Sequence, residues 1–278
     1  MNNLQGPIGV FDSGYGGLTV LKAIRNELHQ YDYIYLGDNA RAPYGSRSFE
    51  VILEYSLEAV KWFFKQGCPL VIFACNTASA KALRTIQQRY LPKIDASRRV
   101  LGVIRPTVEA IETYTKTNKV GILGTIGTVV SKSYCIEIEK LFPQIKTYQH
   151  ACPLWVPIIE HEEMNTPGAD YFIQKDILSL LNKDNDIDTI VLGCTHYPLI
   201  IDSIRRFVPE HINIISQDHI VAASLANYLQ RHSEIEQRLL KNSVIKFYTT
   251  DNVDLFNKRA KIFFGEEVIA QRVNHLNE

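Results

Sequence analysis

The chain has 278 residues, of which 46% are hydrophobic, and its 30 Lys and Arg residues equal its 30 Asp and Glu residues in number. This length and apolar content are typical of a globular protein with one large α/β domain or two of ordinary size. Because the charge is balanced and forms no basic stripe, we expect neither nucleic acid nor a membrane surface as a partner.

The N-terminal sequence MNNLQGPIGVF lacks a charged segment followed by a long apolar one, and no stretch approaches the roughly 20 apolar residues of a membrane span. We therefore expect a cytoplasmic protein. The odd number of cysteines and the absence of CxxC spacing argue against a disulfide framework and a structural zinc site. In a reducing compartment a free cysteine is most often a small buried hydrophobe. The cysteines are Cys68, Cys75, Cys135, Cys152 and Cys194.

Short β-branched runs alternate along the chain with segments in which apolar residues recur every three or four positions. The runs predict strands at 8–11, 33–37, 70–74, 100–103, 120–123, 145–150, 189–193, 212–215 and 244–248. The intervening segments predict helices at 18–29, 49–66, 78–90 and 168–181. This alternation predicts an α/β fold in which parallel sheets are flanked by helices on both faces.

Two pairs of stretches have similar sequence patterns. IGVFDSGYGG at 8–17 resembles VGILGTIGTV at 120–129, and VIFACNTASA at 71–80 resembles TIVLGCTHYP at 189–198. Because the two spacings nearly agree, we expect two similar domains related by a pseudo-twofold axis, with the active site in the cleft between them.

The long tail that follows Ile215 suggests that the chain returns to the first domain. We therefore predict a first domain of residues 1–98 plus 215–278 and a second domain of residues 99–214. The hinge is expected in the crossings near 97–102 and 213–218.

Polar side chains and cysteines fall at the predicted carboxyl ends of the strands, where open parallel sheets bind their ligands. We expect them to gather in one place. They are Asp12, Ser13, Cys75, Asn76, Thr77, Thr125, Thr128, Cys194, Thr195 and His196.

Cys75 and Cys194 each follow a strand and precede a predicted helix. A helix N-terminus favours a thiolate and can lower the cysteine pKa from its usual value of about 8.5. Cys68, Cys135 and Cys152 lack the full pattern, so we interpret them as packing residues.

The loop DSGYGG at 12–17 lacks the glycine order and the Lys-Ser/Thr ending of a nucleotide-binding loop. Asp12 could receive a cation such as an ammonium group, or it could be an ordinary helix N-cap, and the motif leaves both open. DNARAPYG at 38–45 is a turn that could also form a ligand wall. His196 could hold a charge or relay a proton near pH 7, although a lone histidine is more often structural. Glu160 has no local signature.

Two thiols in matching positions of two similar domains would face each other across the cleft. Inverting a carbon centre requires one group that removes a proton from one face and another that returns a proton to the opposite face. This arrangement predicts a racemase. Two further hypotheses remain open, namely a non-catalytic protein that binds a small dicarboxylate and a thiol redox switch.

Six stretches together resemble the glutamate racemase family of the cofactor-independent aspartate/glutamate racemases. They are GVFDSGYGGLTV, DNARAPYG, ACNTASA, GILGT, ACPLWVP and GCTHYPL, and they cover most of the chain. The resemblance implies interconversion of L- and D-glutamate for peptidoglycan synthesis, without a cofactor or a metal, by a homodimer. An aspartate racemase, or a lyase using the same thiols, is the nearest alternative.

The resemblance also implies roles for individual residues. Cys75 and Cys194 match the two catalytic acid/base residues, the first acting on the α-proton of the D-isomer and the second on that of the L-isomer. Asp12, Glu160 and His196 match residues that assist them. The substrate-binding positions are Asp12, Ser13, Pro43, Tyr44, Gly45, Asn76, Thr77, Thr125, Thr128, Thr195 and His196.

The chain departs from the family pattern at three places outside the two thiol motifs. Ala42 stands where phenylalanine is frequent, GVIRPT lacks a glycine after its proline, and IISQDHIVAAS replaces the more usual Asp-Ser ending of its strand. These departures affect details of the pocket, of regulation and of subunit packing rather than the reaction.

Overall fold

A computed structural model describes residues 5–274 and residue 276. All nine predicted strands are present, with ends within one residue of the predicted ones. A tenth strand, β10, was missed because its sequence, AQR, contains no β-branched residue. The strands are β1 (Ile8–Asp12), β2 (Tyr33–Gly37), β3 (Leu70–Phe73), β4 (Arg99–Gly102), β5 (Lys119–Gly124), β6 (Lys146–Ala151), β7 (Thr189–Gly193), β8 (Asn213–Ile215), β9 (Ile245–Thr249) and β10 (Ala270–Arg272).

The helices lie between the strands, as the alternating pattern predicts. The α-helices are α1 (Gly17–Glu27), α2 (Phe49–Lys65), α3 (Asn76–Ala78), α4 (Leu91–Ile94), α5 (Ile104–Ile111), α6 (Ile126–Ser131), α7 (Ser133–Leu141), α8 (Trp155–Glu160), α9 (Pro167–Leu181), α10 (Ile201–Phe207), α11 (Gln217–Arg231), α12 (Ser233–Glu236) and α13 (Val253–Phe264). Short 3-10 helices span Asn39–Arg41 and Tyr197–Ile200, and π-helical segments span Ser79–Leu83 and Ile86–Tyr90. The π segments break up the helix predicted at 78–90.

The strands form two parallel sheets, which confirms the predicted fold class. One sheet has the order β10-β9-β2-β1-β3-β4 and the other has the order β6-β5-β7-β8. The order β2-β1-β3-β4 in the first sheet is therefore repeated as β6-β5-β7-β8 in the second. In both sheets the strand that precedes a cysteine, β3 or β7, pairs with the strand that opens its half, β1 or β5.

The tail of the chain returns to the first sheet, where β9 pairs with β2 and β10 pairs with β9. Helix α11 packs mainly against α1. The predicted boundary after residue 98 falls just before β4, which pairs with β3 of the first sheet. We therefore propose that the second domain begins after Gly102 and ends with β8.

The first sheet is buried between helices, and β1, β2 and β3 are buried along their whole length. This burial explains why these strands are continuous apolar runs rather than alternating ones. In the part of the chain that the structure describes, no helix combines the length and apolar character that crossing a bilayer requires.

Candidate active site

A cavity of about 190 Å³ opens where the carboxyl ends of strands from the two sheets meet. This is the place that the strand-end residues predict, and the volume suits a small metabolite rather than a nucleotide. Most of the predicted site residues line it. They are Ser13, Pro43, Tyr44, Gly45, Cys75, Asn76, Thr77, Thr125, Glu160, Cys194, Thr195 and His196.

Two predicted site residues lie behind the cavity wall. Asp12 and Thr128 are 1% and 0% exposed and are not among the residues that line the cavity. Cys152, for which the sequence predicted packing alone, is a lining residue, whereas Cys68 is buried in the core. The lining also includes Ala42, Ser46, Ile126, Pro153, Val156 and Pro157, which sequence reasoning did not select.

Cys75 occupies the N-cap position of α3, as the sequence predicts. Its Sγ accepts a hydrogen bond from the backbone N–H of Ala78 at 3.4 Å and lies 3.5 Å from Ser13 Oγ. The thiol is 5% exposed. The helix end therefore fixes the direction of the sulfur toward the cavity that it lines.

The protonation of Cys75 differs from the expectation of a lowered pKa. Burial, reinforced by the nearby charge of Asp12, raises the pKa of the Cys75 thiol to about 12, and the hydrogen bonds with Ser13 and Ala78 only partly oppose this. Burial disfavours the charged form of Cys75 more strongly than one helix turn stabilises it. Cys75 is a protonated thiol at neutral pH.

Cys194 is held differently, since no α-helix begins directly after it. A turn follows β7, and the 3-10 helix at Tyr197–Ile200 precedes α10. The Sγ atom of Cys194 lies 3.8 Å from Nδ1 of His196, and Nε2 of His196 lies 2.9 Å from Oε1 of Glu160. At this side of the cavity the thiol of Cys194 thus contacts an imidazole, which in turn contacts a carboxylate.

His196 is charged rather than poised near pH 7, which corrects the sequence expectation. Burial lowers its pKa, but the hydrogen bonds to Cys194 and Glu160 outweigh burial and raise it to about 10. Burial raises the pKa of Glu160, and the hydrogen bond and charge of His196 bring it below its ordinary value. The two side chains form a buried ion pair whose cation faces the sulfur of Cys194.

Asp12 supports the loop between β1 and α1 and is not a helix N-cap. Gly16 occupies the cap position of α1, and Oδ1 of Asp12 accepts the N–H of Gly14 at 2.9 Å. Burial raises the Asp12 pKa, although the His196 charge opposes the shift. Thr195 Oγ1 lies 3.5 Å from Oδ2 of Asp12, so this carboxyl connects β1 to the turn after Cys194.

Gly16 shows how closely the two halves of the site approach. A Cβ atom at this position would lie 2.3 Å from Thr195 Oγ1 and 2.4 Å from His196 Nδ1. Only a residue without a side chain fits there, so the glycine-rich loop at 12–17 packs closely against Thr195 and His196.

The loop at 38–45 contributes backbone more than side chain to the cavity. Tyr44 is 1% exposed, and its hydroxyl donates to Oδ2 of Asp38 at 2.5 Å. Arg41 also binds Asp38. Because the Tyr44 hydroxyl is used by Asp38, the groups that remain for a ligand are the backbone of Tyr44 and Gly45 and the ring of Pro43.

Hydroxyl groups from both halves meet at the cavity. Thr77 Oγ1 and Thr125 Oγ1 are 2.9 Å apart, and Thr125 Oγ1 lies 3.1 Å from Thr128 Oγ1. Thr125 is also the N-cap of α6, where it accepts the N–H of Thr128. Thr128 thus acts through Thr125 rather than by touching the cavity, and Thr77 and Thr125 can donate to a carboxylate.

Sequence reasoning missed Gln217 and Tyr134, which bind the Asn76 amide from outside the cavity. The only signal was the departure of 215–218 from the family pattern. Among the described residues, no three His, Cys, Asp or Glu side chains are grouped so that they could hold a metal ion.

The site pairs a protonated thiol with a sulfur that faces a cation. A thiol can donate a proton, and a sulfur stabilised as thiolate by an imidazolium can accept one. The arrangement can therefore exchange protons with the two faces of one carbon that lies between the sulfurs.

The family model described as Asp/Glu/Hydantoin racemase matches residues 8–223. A glutamate racemase of Hydrogenobaculum sp. is 37% identical over 271 residues, covering 96% of each chain. The crystal structure of a glutamate racemase isoform of Bacillus anthracis superposes with a TM-score of 0.88, at 35% identity and 97% coverage of each chain. The crystal structure of the Francisella tularensis glutamate racemase in complex with D-glutamate superposes with a TM-score of 0.87, at 32% identity and 98% coverage of each chain.

Proposed function

Because this chain belongs to the Asp/Glu/hydantoin racemase family and is an amino-acid racemase, we propose that it interconverts L- and D-glutamate with Cys75 and Cys194 as its two bases. The observation that carries the proposal is that the two cysteines, one from each sheet, line the same cavity of about 190 Å³. Glutamate is favoured over aspartate because the relatives at 32–37% identity described above are glutamate racemases.

The surroundings of the two sulfurs suit one direction of the reaction. Cys75 carries its proton, since burial raises its pKa to about 12. The Cys194 sulfur lies 3.8 Å from Nδ1 of the charged His196 ring, which places a cation beside the group that is to accept a proton. In the proposed reaction Cys194 therefore removes the α-proton of L-glutamate and Cys75 supplies a proton.

In that turnover the Cα–H bond breaks as the Cys194 thiolate takes the proton, and the electron pair stays on Cα and its carboxylate. The S–H bond of Cys75 then breaks as its proton is delivered to the opposite face of Cα, which forms D-glutamate. The two sulfurs have exchanged protonation states. The next D-glutamate can be converted back through the same steps in reverse, as microscopic reversibility requires.

The carbanion must be stabilised while it exists. Hydroxyl groups of Ser13, Thr77 and Thr125 and the backbone N–H groups at the loop ends surround the cavity. Preorganised donors of this kind stabilise charge as it moves onto the α-carboxylate, and exclusion of water strengthens them. Proton transfer between carbon and sulfur in this scheme requires no cofactor.

The biological setting follows from the substrate. D-Glutamate is a component of peptidoglycan, so we place the enzyme in the supply of that amino acid, in the cytoplasm, and expect a homodimer as the resemblance implies. Size determination in solution tests the dimer. A chain that sediments as a monomer at assay concentrations would contradict it.

The substrate is tested by measuring D-amino acid formation from L-glutamate and from L-aspartate in separate assays. We expect kcat/KM for glutamate to be about 10- to 200-fold higher than for aspartate, since a site that fits one side-chain length rejects a substrate with one methylene less by that factor. Preference for aspartate would overturn the substrate assignment.

The two-thiol mechanism is tested with Cys75→Ser and Cys194→Ser. Each change should reduce racemisation by at least about 1,000-fold, because a serine hydroxyl is a far weaker acid than a thiol and is hardly ever present in its basic, ionised form near neutral pH. Glutamate binding, measured by calorimetry, should survive. Cys135→Ser is the matched control, since Cys135 is half-buried on α7 outside the cavity and should leave turnover unchanged. Turnover that survives either of the first two changes would favour a binding protein or a different base.

A further inference from the structure

A buried polar network surrounds the Asn76 side chain. Asn76 Nδ2 donates to Oε1 of Gln217 at 2.6 Å, and the hydroxyl of Tyr134 donates to Oδ1 of Asn76 at 2.7 Å. Gln217 Nε2 in turn donates to Thr107 Oγ1 at 3.1 Å and to the Tyr134 hydroxyl. All four side chains are at most 3% exposed.

The hydrogen-bonding groups of the network are matched donor to acceptor. Thr107 Oγ1 gives its own proton to Val103 O, so it is free to accept from Gln217. Burial raises the Tyr134 pKa, and Tyr134 therefore keeps the proton that it gives to Asn76. Both amide protons and the carbonyl of Gln217 are used, so the glutamine orientation is fixed.

Asn76 directly follows Cys75 in the chain and is the first residue of α3, the helix whose N-terminus holds the sulfur. Fixing the Asn76 amide therefore fixes the helix end from which Cys75 Sγ projects. One of the two amide protons of Asn76 goes to Gln217, which leaves the other for a ligand in the cavity that Asn76 lines.

The groups that hold Asn76 come from other parts of the fold. Asn76 follows β3 of the first sheet, Tyr134 lies on α7 after β5 of the second sheet, and Gln217 begins α11 after β8. The network thus links the Cys75 helix to the helices of the second half. Within the described residues, Cys194 contacts the His196–Glu160 pair instead of such a network.

We propose that Gln217, together with Tyr134, positions the Cys75 half of the site through Asn76 and so controls proton transfer at Cys75 but not at Cys194. Gln217 is a positioning residue, since it touches Asn76 and not the cavity. The proposal rests on the function proposed above and adds residues of this chain, one of them in the stretch that departs from the family pattern.

The test uses the primary deuterium isotope effect on kcat/KM. The equilibrium constant of racemisation is unity, so the two directions share one kcat/KM and cannot reveal which half is impaired. Isotope effects can reveal the impaired half, because the effect with Cα-deuterated D-glutamate reports proton removal by Cys75 and the effect with Cα-deuterated L-glutamate reports proton removal by Cys194. Loss of folded enzyme changes neither isotope effect.

Gln217→Met keeps the length of the side chain and removes its hydrogen bonds. We expect kcat/KM to fall by about 10- to 100-fold, as small misplacements of a reacting group do. The isotope effect with D-glutamate should rise, because the step at Cys75 becomes more rate-limiting, and the effect with L-glutamate should fall. Tyr134→Phe is a milder change and should shift both isotope effects in the same directions as Gln217→Met. If Gln217→Met does not fold, Tyr134→Phe tests the proposal in its place.

Gln87→Met is the matched control, since the Gln87 amide donates to the backbone carbonyl of Val100 outside the network. It should leave both isotope effects unchanged. If Gln217→Met and Tyr134→Phe lower activity with native isotope effects, the network serves folding alone and the proposal is wrong. A native protein that does not racemise glutamate would remove the proposed function itself, and this inference with it, before any variant is compared.

Discussion

The two sides of the cavity use the same residue in opposite ways. Cys75 is a buried helix N-cap whose pKa is raised to about 12 by burial and by Asp12. Cys194 follows β7 without a helix directly after it and faces His196, whose pKa is raised to about 10 by the hydrogen bonds to Cys194 and Glu160. One sulfur is therefore kept as a thiol, whereas the other lies beside a cation.

This difference shows that similar local sequences do not give similar surroundings. Both cysteines follow a buried strand, and β3 and β7 occupy matching places in their sheets. The Cys194 sulfur lies beside the charged His196, whereas the Cys75 sulfur contacts Ser13 Oγ and the N–H of Ala78. A two-base reaction needs this asymmetry, because one group must accept a proton while the other donates one.

Among changes that leave both sulfurs in place, the largest effect should come from removing the cation. His196→Asn takes away the imidazolium beside the Cys194 sulfur, so we expect kcat/KM to fall by about 1,000-fold. The isotope effect with Cα-deuterated L-glutamate should rise and that with D-glutamate should fall, the reverse of the Gln217 variants. His211→Asn, at an exposed position, is the control. Equal changes in the isotope effects with L- and D-glutamate would contradict the assignment of His196 to the Cys194 side alone.

A smaller effect is expected from crowding the same imidazole. The Cβ added by Gly16→Ala would lie 2.3 Å from Thr195 Oγ1 and 2.4 Å from His196 Nδ1, so these side chains or the loop must shift. We expect a fall in kcat/KM of about 100-fold, measured alongside thermal unfolding. Gly168→Ala is the control, because its nearest neighbour would be Thr166 Oγ1 at 3.8 Å. Unchanged activity in Gly16→Ala would show that the His196 position is not critical.

Weakening the support of the cation should change the pH profile. Glu160→Gln removes the carboxylate that raises the His196 pKa, so the imidazolium is lost at lower pH than the value of about 10 in the native protein. The alkaline limb of kcat/KM against pH should therefore move to lower pH, with activity about tenfold lower on that limb. An alkaline limb that stays in place would mean that another group controls it.

The smallest effect should come from the Cys75 side. Ser13→Ala removes the hydroxyl 3.5 Å from Cys75 Sγ, while the N–H of Ala78 still binds the sulfur. We expect kcat/KM to fall about threefold, the cost of one weak hydrogen bond. A loss as large as that of His196→Asn, measured in the same steady-state assay, would mean that Cys75 depends on a single contact as Cys194 does.

The sequence by itself determined the sheets and the approximate place of the site. Mostly apolar, β-branched runs predicted nine strands because buried parallel strands favour such residues, and polar side chains after those runs predicted which residues meet at the strand ends. The missed strand β10 reads AQR and contains no β-branched residue. Asp12 and Thr128 were predicted at the right strand ends, but their depth behind the cavity wall depends on how neighbouring loops pack.

Only the tertiary structure decided the groups that surround the two sulfurs and the protonation of Cys75. Glu160 lies 36 residues before His196 and Gln217 lies 141 residues after Asn76, so no local pattern could pair them. The rise in the Cys75 pKa comes from burial by residues remote in sequence, and burial is a property of the packed molecule. Acidity in this protein is set by what surrounds each sulfur in space, because the energy of a charge depends on its solvation and on its neighbours.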